Sequence, residues 1–449
     1  MAPELSVHPV ALLVVLGVAV ALMVLPRNKL LPPFFLVAVF LPLTQGFMVL
    51  GLHITFARFL IFTAWGRFLL RREFRLKSWN SMDSALCLWC GAGAAAYVLL
   101  WGTFDAFITI MGQVVNYGGT YFIVRTCITK TSDVTHLTKY MKFSVIALGV
   151  CMMAEWWTGR NAFAIFGGVP EFTEIRDGKL RCQGPFGHPI GAGLFGASLV
   201  PIFLSSIVVR NRRVEGLVAL AFSVLVVSLT ASSGPVLALV AGVAAWCFWP
   251  LKRQMRMVSW GVVVLLLGLH LVMKAPVWAL IARANVFDAS SSWHRFNLFD
   301  QFIRRIDEWW LVGTRSTEHW GHMAGDVSNN YVRIGVSGGL FTLLAFLLVL
   351  RRGFTSLGAA IRRSKDSGEQ ALLWGLGGGL MAHVMGSFGL SYWDQTTVLF
   401  ALLLGLISAA SSAVLSRGPG RPELQHTLVP GSDLAASPRQ VHDERIDLE

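Results

Sequence analysis

Charge is scarce in this chain. Of its 449 residues only 14% are Asp, Glu, Lys or Arg, where a soluble domain carries about 25%. Cysteine is also sparse, at six residues. Cys87 and Cys90 form a Cys-x-x-Cys, but inside an apolar run, where they read as small buried hydrophobes. Neither a disulfide framework nor a metal cluster follows from this spacing. Phosphate-binding loops, a Gly-x-Gly-x-x-Gly after a strand, His-Glu-x-x-His, Gly-x-Ser-x-Gly and paired Cys-x-x-Cys motifs are all missing. So is an Asp-x-Asp-like acidic pair on a long connection. An enzyme with these gaps is expected to use no tightly bound metal, nucleotide or other cofactor.

What is present is apolar sequence: 54% of residues are hydrophobic and the mean hydropathy is +0.59. Runs of about 20 apolar residues are long enough to cross a bilayer. They fall at about 9–25, 31–49, 54–70, 82–101, 104–124, 141–157, 189–209, 214–230, 234–250, 257–273, 329–350, 370–390 and 395–415. The expectation is an all-α polytopic membrane protein with about 12–13 transmembrane helices, in one domain over 1–415. A closed β-barrel is excluded, because barrel strands alternate polar and apolar residues and these runs do not. Met1–Pro9 has no Lys or Arg, so the first run reads as a retained span and not a cleaved signal.

The net charge of +13 does not point to nucleic acid, because of where the cations sit. Alternate connections are basic: Arg27–Lys29, Arg67–Lys77, Arg125–Lys142, Arg210–Arg213, Lys252–Arg256 and Arg351–Lys365. The short connections between them, Leu50–His53, Gly102–Asp105, Ala231–Pro235 and Ser391–Gln395, have no Lys or Arg. The positive-inside rule places the basic set in the cytoplasm. Two long connections, about 158–188 and 274–328, then fall on the extracytoplasmic side. The tail 416–449, rich in Pro and charge, reads as a disordered cytoplasmic end.

The later loop is unlike a passive connection. It holds six Lys or Arg, six Asp or Glu, five Trp, four Phe and three His. Phe296, Phe299, Phe302, Ile303, Ile306, Trp309 and Trp310 recur at helical spacing, which predicts an amphipathic helix lying in the membrane interface. Such a helix either caps the bundle or walls a site for a lipid-linked anion, which Arg suits through its planar fork of donors. Arg58 sits in the middle of the third run, where a charge faces a polar interior or a partner. Glu155 and His383 are further in-span polar candidates. Arg181 stands just before a Gly- and Pro-rich turn that runs from Gly184 through His188 to Pro189. Pro189 fits a first helical turn, and Gly191, Gly193 and Gly196 allow a helix or a lipid headgroup to approach closely.

Four segments carry a family likeness: Arg181 with Gly184, Phe186, Pro189 and Gly193; "SLTASSGPVLALV" (Ser228–Val240); "SWHRFNLFDQFIRRIDEWWLVGT"; and "DVSNNYVRIGVSGGLFTLL" (Asp326–Leu344). On these the chain resembles the O-antigen ligase and O-antigen polymerase superfamily of bacterial inner-membrane proteins. The chain departs from that pattern at Ser328, where the family's His-Asn has histidine, and at Ser233-Gly234, where many members have Arg.

The resemblance implies a C-type, metal-independent glycosyltransferase with a large extracytoplasmic loop late in the chain. It would pass a glycan from undecaprenyl diphosphate to an acceptor sugar hydroxyl at the periplasmic face of the inner membrane. The partners implied are that lipid-linked donor, a glycan or glycolipid acceptor and membrane lipids. Arg181, Arg295 and Arg315 would hold the departing diphosphate. His319, or Asp326 after it, would take the hydroxyl proton. Arg58 and His188 would contact substrate, and Asn329 and Asn330 would anchor sugar hydroxyls or the helix start. Ligase and polymerase stay open at this point. So do a lipid-linked glycan flippase and an accessory subunit of an export complex, although a flippase should carry more charge along its spans than this chain does.

Overall fold

The computed structural model describes residues 7–49, 52–76, 78–208, 213–280, 289–321 and 323–417. His322 and nearly all of the expected tail, from 418 on, lie outside the described residues. The rest of the expected membrane domain forms one compact unit, Met1–Ser416.

The protein is a multi-pass, mostly helical membrane protein. Its helices run α1 (Pro9–Val24), α2 (Leu31–Phe40), α3 (Phe56–Leu70), α4 (Ser81–Trp101), α5 (Phe104–Val114), α6 (Thr120–Cys127), α7 (Thr131–Thr158), α8 (Pro189–Val208), α9 (Arg213–Leu229), α10 (Ser233–Cys247), α11 (Met255–Val272), α12 (Ala289–Arg304), α13 (Ile306–Trp309), α14 (Asn330–Arg363), α15 (Ser367–Gly386) and α16 (Asp394–Leu415). Among the described residues six are long and apolar enough to cross a membrane: α4, α7, α8, α11, α14 and α16.

Several boundaries differ from the sequence expectation, each for a local reason. The 31–49 run is no single span. Leu41, before Pro42, turns extended as a pre-proline residue does. The chain then forms a hairpin of β1 (Gly46–Val49) and β2 (Leu52–Thr55). As a result Arg58 does not lie mid-span. It sits in the first turn of α3, whose N-cap is Thr55. The 104–124 run is interrupted by a π turn at Val115–Gly119. The supposed basic connections 125–142 and 351–365 are largely helical, inside α7 and α14. Cys87 is exposed and Cys90 only half-buried, so the expected buried pair faces outward on α4.

Caps explain several of the helix ends. Asn80 accepts from the Met82 and Asp83 N–H groups, and Asp83 accepts from the Asn80 N–H, a reciprocal capping box for α4. α4 and α7 stop at Gly102 and Gly159, both in the left-handed conformation glycine tolerates. The core crossing uses small residues. A Cβ on Gly378 would lie 2.5 Å from Pro201 and one on Gly242 2.9 Å from it, so α8, α10 and α15 meet nearly backbone to backbone. Gly193 and Gly196 serve the same purpose, facing Pro235 and the Ser223 carbonyl.

α14 is kinked at Gly339, with φ +76. A Cβ there would collide with the Leu311 carbonyl oxygen. The Leu340 N–H is left to donate to the Trp310 carbonyl at 2.8 Å, so the kink receives the segment that leaves Trp309 in the later long loop. At the opposite, basic end Asp83 accepts two bonds from Arg125, both 2.9 Å, and one from Tyr121 at 2.6 Å. Two polar anchors thus bracket an apolar bundle.

Candidate functional site

The N-termini of α8, α10 and α14 open from one end of the bundle, where the two long loops also lie. What holds that end is Glu155, in the last turn of α7 and only 1% exposed. Its carboxylate accepts from the Gln183 N–H at 3.1 Å, the Gly184 N–H at 2.9 Å and the Thr173 hydroxyl at 3.3 Å. Asn161 donates to the Gly184 carbonyl at 2.7 Å. Gly184 takes φ +57, and a Cβ on it would press on Leu148 at 3.0 Å. Buried polar groups of this kind must be satisfied, so the segment from Cys182 to Gly187 has one conformation.

That segment fixes Arg181, at the end of a small hairpin of β3 (Glu174–Arg176) and β4 (Lys179–Arg181). Arg181 is 5% exposed. Nη1 donates to Glu174 at 3.0 Å and Nη2 to the Ser232 hydroxyl at 3.0 Å. Nε is buried without a partner. Ser232 belongs to the tight α9–α10 turn, in which Ala231 takes a positive φ of 42°. The turn is pinned from the other side by the Cys182 N–H on the Leu229 carbonyl.

His188 caps α8: its Nδ1 accepts from the Ile190 N–H at 3.2 Å. In the tautomer this bond requires, Nε2 carries the proton. Burial, and after it the Arg181 charge, hold the imidazole below the ordinary histidine range; Glu174 and Asp326 pull the other way. His188 is therefore neutral at pH 7, and the charges of Arg181, Glu174 and Asp326 all reach it. Asp326 is exposed, and its backbone carbonyl bonds His294 at 3.2 Å.

Arg295, on α12, is 8% exposed. Its guanidinium carbon lies 3.6 Å from the Cβ position of Gly389, and Gly389 in turn touches Gly234 at the start of α10. Arg181 and Arg295 thus approach the same turn, Arg181 at Ser232 and Arg295 through Gly389 at Gly234. Asn329, fully buried, is the N-cap of α14, accepting from the Tyr331 and Val332 N–H groups. Asn330 accepts from the Tyr392 N–H at 3.2 Å. Both asparagines therefore define the helix start.

Three expected site residues go elsewhere. His319 Nε2 meets Glu308 at 2.7 Å, and Glu308 also accepts from Trp320 at 2.8 Å and Arg305 at 2.9 Å. Burial opposes charge on Glu308, but the Trp320, Arg305 and His319 bonds outweigh it and hold its carboxyl at about 2. Arg315 places Nε and Nη2 on the Leu100 carbonyl, at 3.0 and 2.9 Å, and so caps the end of α4. Arg58 donates to the His53 carbonyl at 3.3 Å and lies against Gly112, far along the chain from the Arg181 cluster. The expected amphipathic helix is broken at Arg305 into α12 and α13. It turns Leu298, Phe302 and Trp309 into the bundle and leaves Trp293, Ile306 and Trp310 exposed.

Ser232 and Glu174 were missed by sequence reasoning. A serine in a Ser-rich turn and an acid in a short hairpin have no distinguishing spacing; only folding puts them on Arg181. Among the described residues no three His, Cys, Asp or Glu side chains gather closely enough to hold a metal ion. No protein-family model matches this chain, and no curated protein matches it either.

Proposed function

We propose that this chain is a glycosyltransferase of the O-antigen ligase and polymerase kind, acting on a lipid-linked donor at the loop end of the bundle, the extracytoplasmic face of a bacterial inner membrane. The observation that carries this reading is the buried Arg181, fixed by the Glu155 anchor against Ser232 and near His188, an imidazole that the Asp326 charge also reaches. A buried guanidinium with one carboxylate, one hydroxyl and an unpartnered Nε is suited to exchange the half-exposed Glu174 for a phosphate oxygen. The N-termini of α8 and α10 add positive dipole ends beside it.

In the proposed reaction the acceptor hydroxyl oxygen bonds to the donor's anomeric carbon. The bond from that carbon to the diphosphate oxygen breaks, and its electron pair leaves with the diphosphate. Arg181 and Arg295 stabilise that developing charge. The hydroxyl proton passes to the Asp326 carboxylate, and His188 serves as a neutral hydrogen-bond donor through Nε2. His319 is the weaker base candidate, because its Nε2 is already engaged by Glu308. The alternation of basic connections with connections that have no Lys or Arg supports the assigned sidedness.

The test is deletion of the gene with complementation by wild type, Arg181→Ala and Asp326→Asn, reading surface glycan on gels. Glycan ladders unchanged in the deletion would remove the transferase reading. Single repeats that never lengthen indicate a polymerase; full chains stranded on the carrier indicate a ligase. Donor confined to the cytoplasmic leaflet indicates the flippase.

A further inference from the structure

We infer that the protein holds one monoanionic phospholipid in a built site between α4, α5 and α14, separate from the proposed transfer site and independent of that reading. A cavity of about 210 Å³ lies there. Arg333, one turn into α14 and half-buried, is the one charged residue among those lining it. Among the described residues Arg333 makes no side-chain hydrogen bond and no ion pair. Two more lining side chains carry polar atoms without partners: the Asn330 Nδ2 and the Thr342 Oγ1, on residues 2% and 4% exposed. An unpaired cation and unsatisfied buried polar groups are expensive in an apolar bundle. A bound anionic head group supplies Arg333 with a partner in the cavity that these two donors also line.

The neighbouring cleft gives the ligand's other half. It is apolar, about 550 Å³, and lies along α4 between α3 and the π turn. Cys90 and Val114 line both spaces, so the cleft adjoins the cavity. Along α4 the polar cavity reaches Tyr97, near the loop end, while the cleft reaches Leu86, about 16 Å deeper at the helical rise. A polar head at the loop end with an apolar channel running inward has the shape of a lipid in one leaflet. One arginine with neutral donors around it balances a single phosphodiester charge. A lipid diphosphate carries more charge than these residues neutralise. Gly91 and Gly118 line the cleft with nothing within 4 Å of an added Cβ, which leaves the channel wide enough for a chain.

The test is native mass spectrometry of the full chain, released from detergent and titrated with phosphatidylglycerol, phosphatidylethanolamine or a polyprenyl diphosphate. Wild type should retain one phosphatidylglycerol in preference to the zwitterionic lipid. Arg333→Gln should weaken retention about tenfold or more, since a charge-assisted bond is lost. Gly91→Leu puts a side chain into the cleft at a position where an added Cβ meets nothing within 4 Å and should weaken it too, which keeps the proposal testable where Arg333→Gln fails to fold. The exposed Arg304→Gln should leave retention unchanged. Equal retention by wild type and Gly91→Leu, equal retention of both phospholipids, or displacement of phosphatidylglycerol by the polyprenyl diphosphate at lower concentration would each overturn the assignment.

Discussion

The two long loops share one end of the bundle and both carry exposed ion pairs, Arg160 with Glu171 at 3.1 Å in the earlier one, but they differ in what fixes their key residues. In the earlier loop a single buried carboxylate, Glu155, gathers two backbone N–H groups and a hydroxyl, and the geometry of Arg181 follows from it. In the later loop the charges pair with one another at or near the surface: Arg304 with Asp300 at 2.7 Å, Arg305 with Glu308 at 2.9 Å and His319 with Glu308 at 2.7 Å. Exposed pairs are each worth little, about 0–1 kcal/mol. A buried acceptor whose removal strands several donors is worth far more. The lesson concerns function as well as stability. A group held by buried bonds has a fixed position for chemistry, whereas residues in mutual surface pairs are already engaged.

Glu155→Ala breaks the comparison most severely. It strands the Gln183 and Gly184 N–H groups, so a loss of about 4 kcal/mol is expected, at about 2 kcal/mol for each buried donor. Glu308→Ala should lose about 1 kcal/mol. Thermal unfolding of the two variants in one detergent measures both, and equal losses would end the distinction.

Next comes the proposed transfer itself. Arg181→Ala should slow it about a hundredfold to a thousandfold, as removal of one charge-stabilising donor does. Arg315→Ala should leave the rate within about threefold, because that guanidinium is committed to the Leu100 carbonyl. Rates on a lipid-linked donor distinguish them, and a larger effect at Arg315 would reverse the placement of the site.

The base assignment sharpens the same contrast. Asp326→Asn should lower kcat about a hundredfold, while His319→Ala should mainly loosen the α13 cluster and leave kcat nearly intact. The opposite ranking would move the base to the later loop.

The smallest effect is a pH dependence. The folded Glu308 carboxyl is held at about 2, below its ordinary value of 4.5. A depressed carboxyl stabilises above its unfolded value and loses that stabilisation as pH falls. Docking of 305–320 should therefore weaken between about pH 4.5 and 2. Limited proteolysis across that range should show cleavage near Arg305 rising in wild type, with a flatter response in Glu308→Gln.

Much of the fold was legible in the sequence. All thirteen apolar runs contain helix, because a helix satisfies its own backbone and lipid offers no other partner. Pro189 at the first turn of α8 and Asn329 at the cap of α14 follow directly from local preferences. Arg58 was placed too deep, because hydropathy cannot distinguish an apolar hairpin from the continuation of a helix. His319 was ranked above Asp326 on residue type alone, and its partner Glu308 lies eleven positions away through a break in the helix.

The sequence by itself determined that this is a multi-pass helical bundle with one basic end and one end carrying two charged loops. Both properties are set by local hydropathy and by the expense of placing charge in lipid. Tertiary structure alone decided which polar groups meet. Glu155 finds the Gln183 and Gly184 backbone, Arg181 finds Ser232, Arg315 is spent on α4, and Arg333 is left facing a cavity. These outcomes depend on helices separated by up to hundreds of residues closing against one another, at distances that no local periodicity encodes.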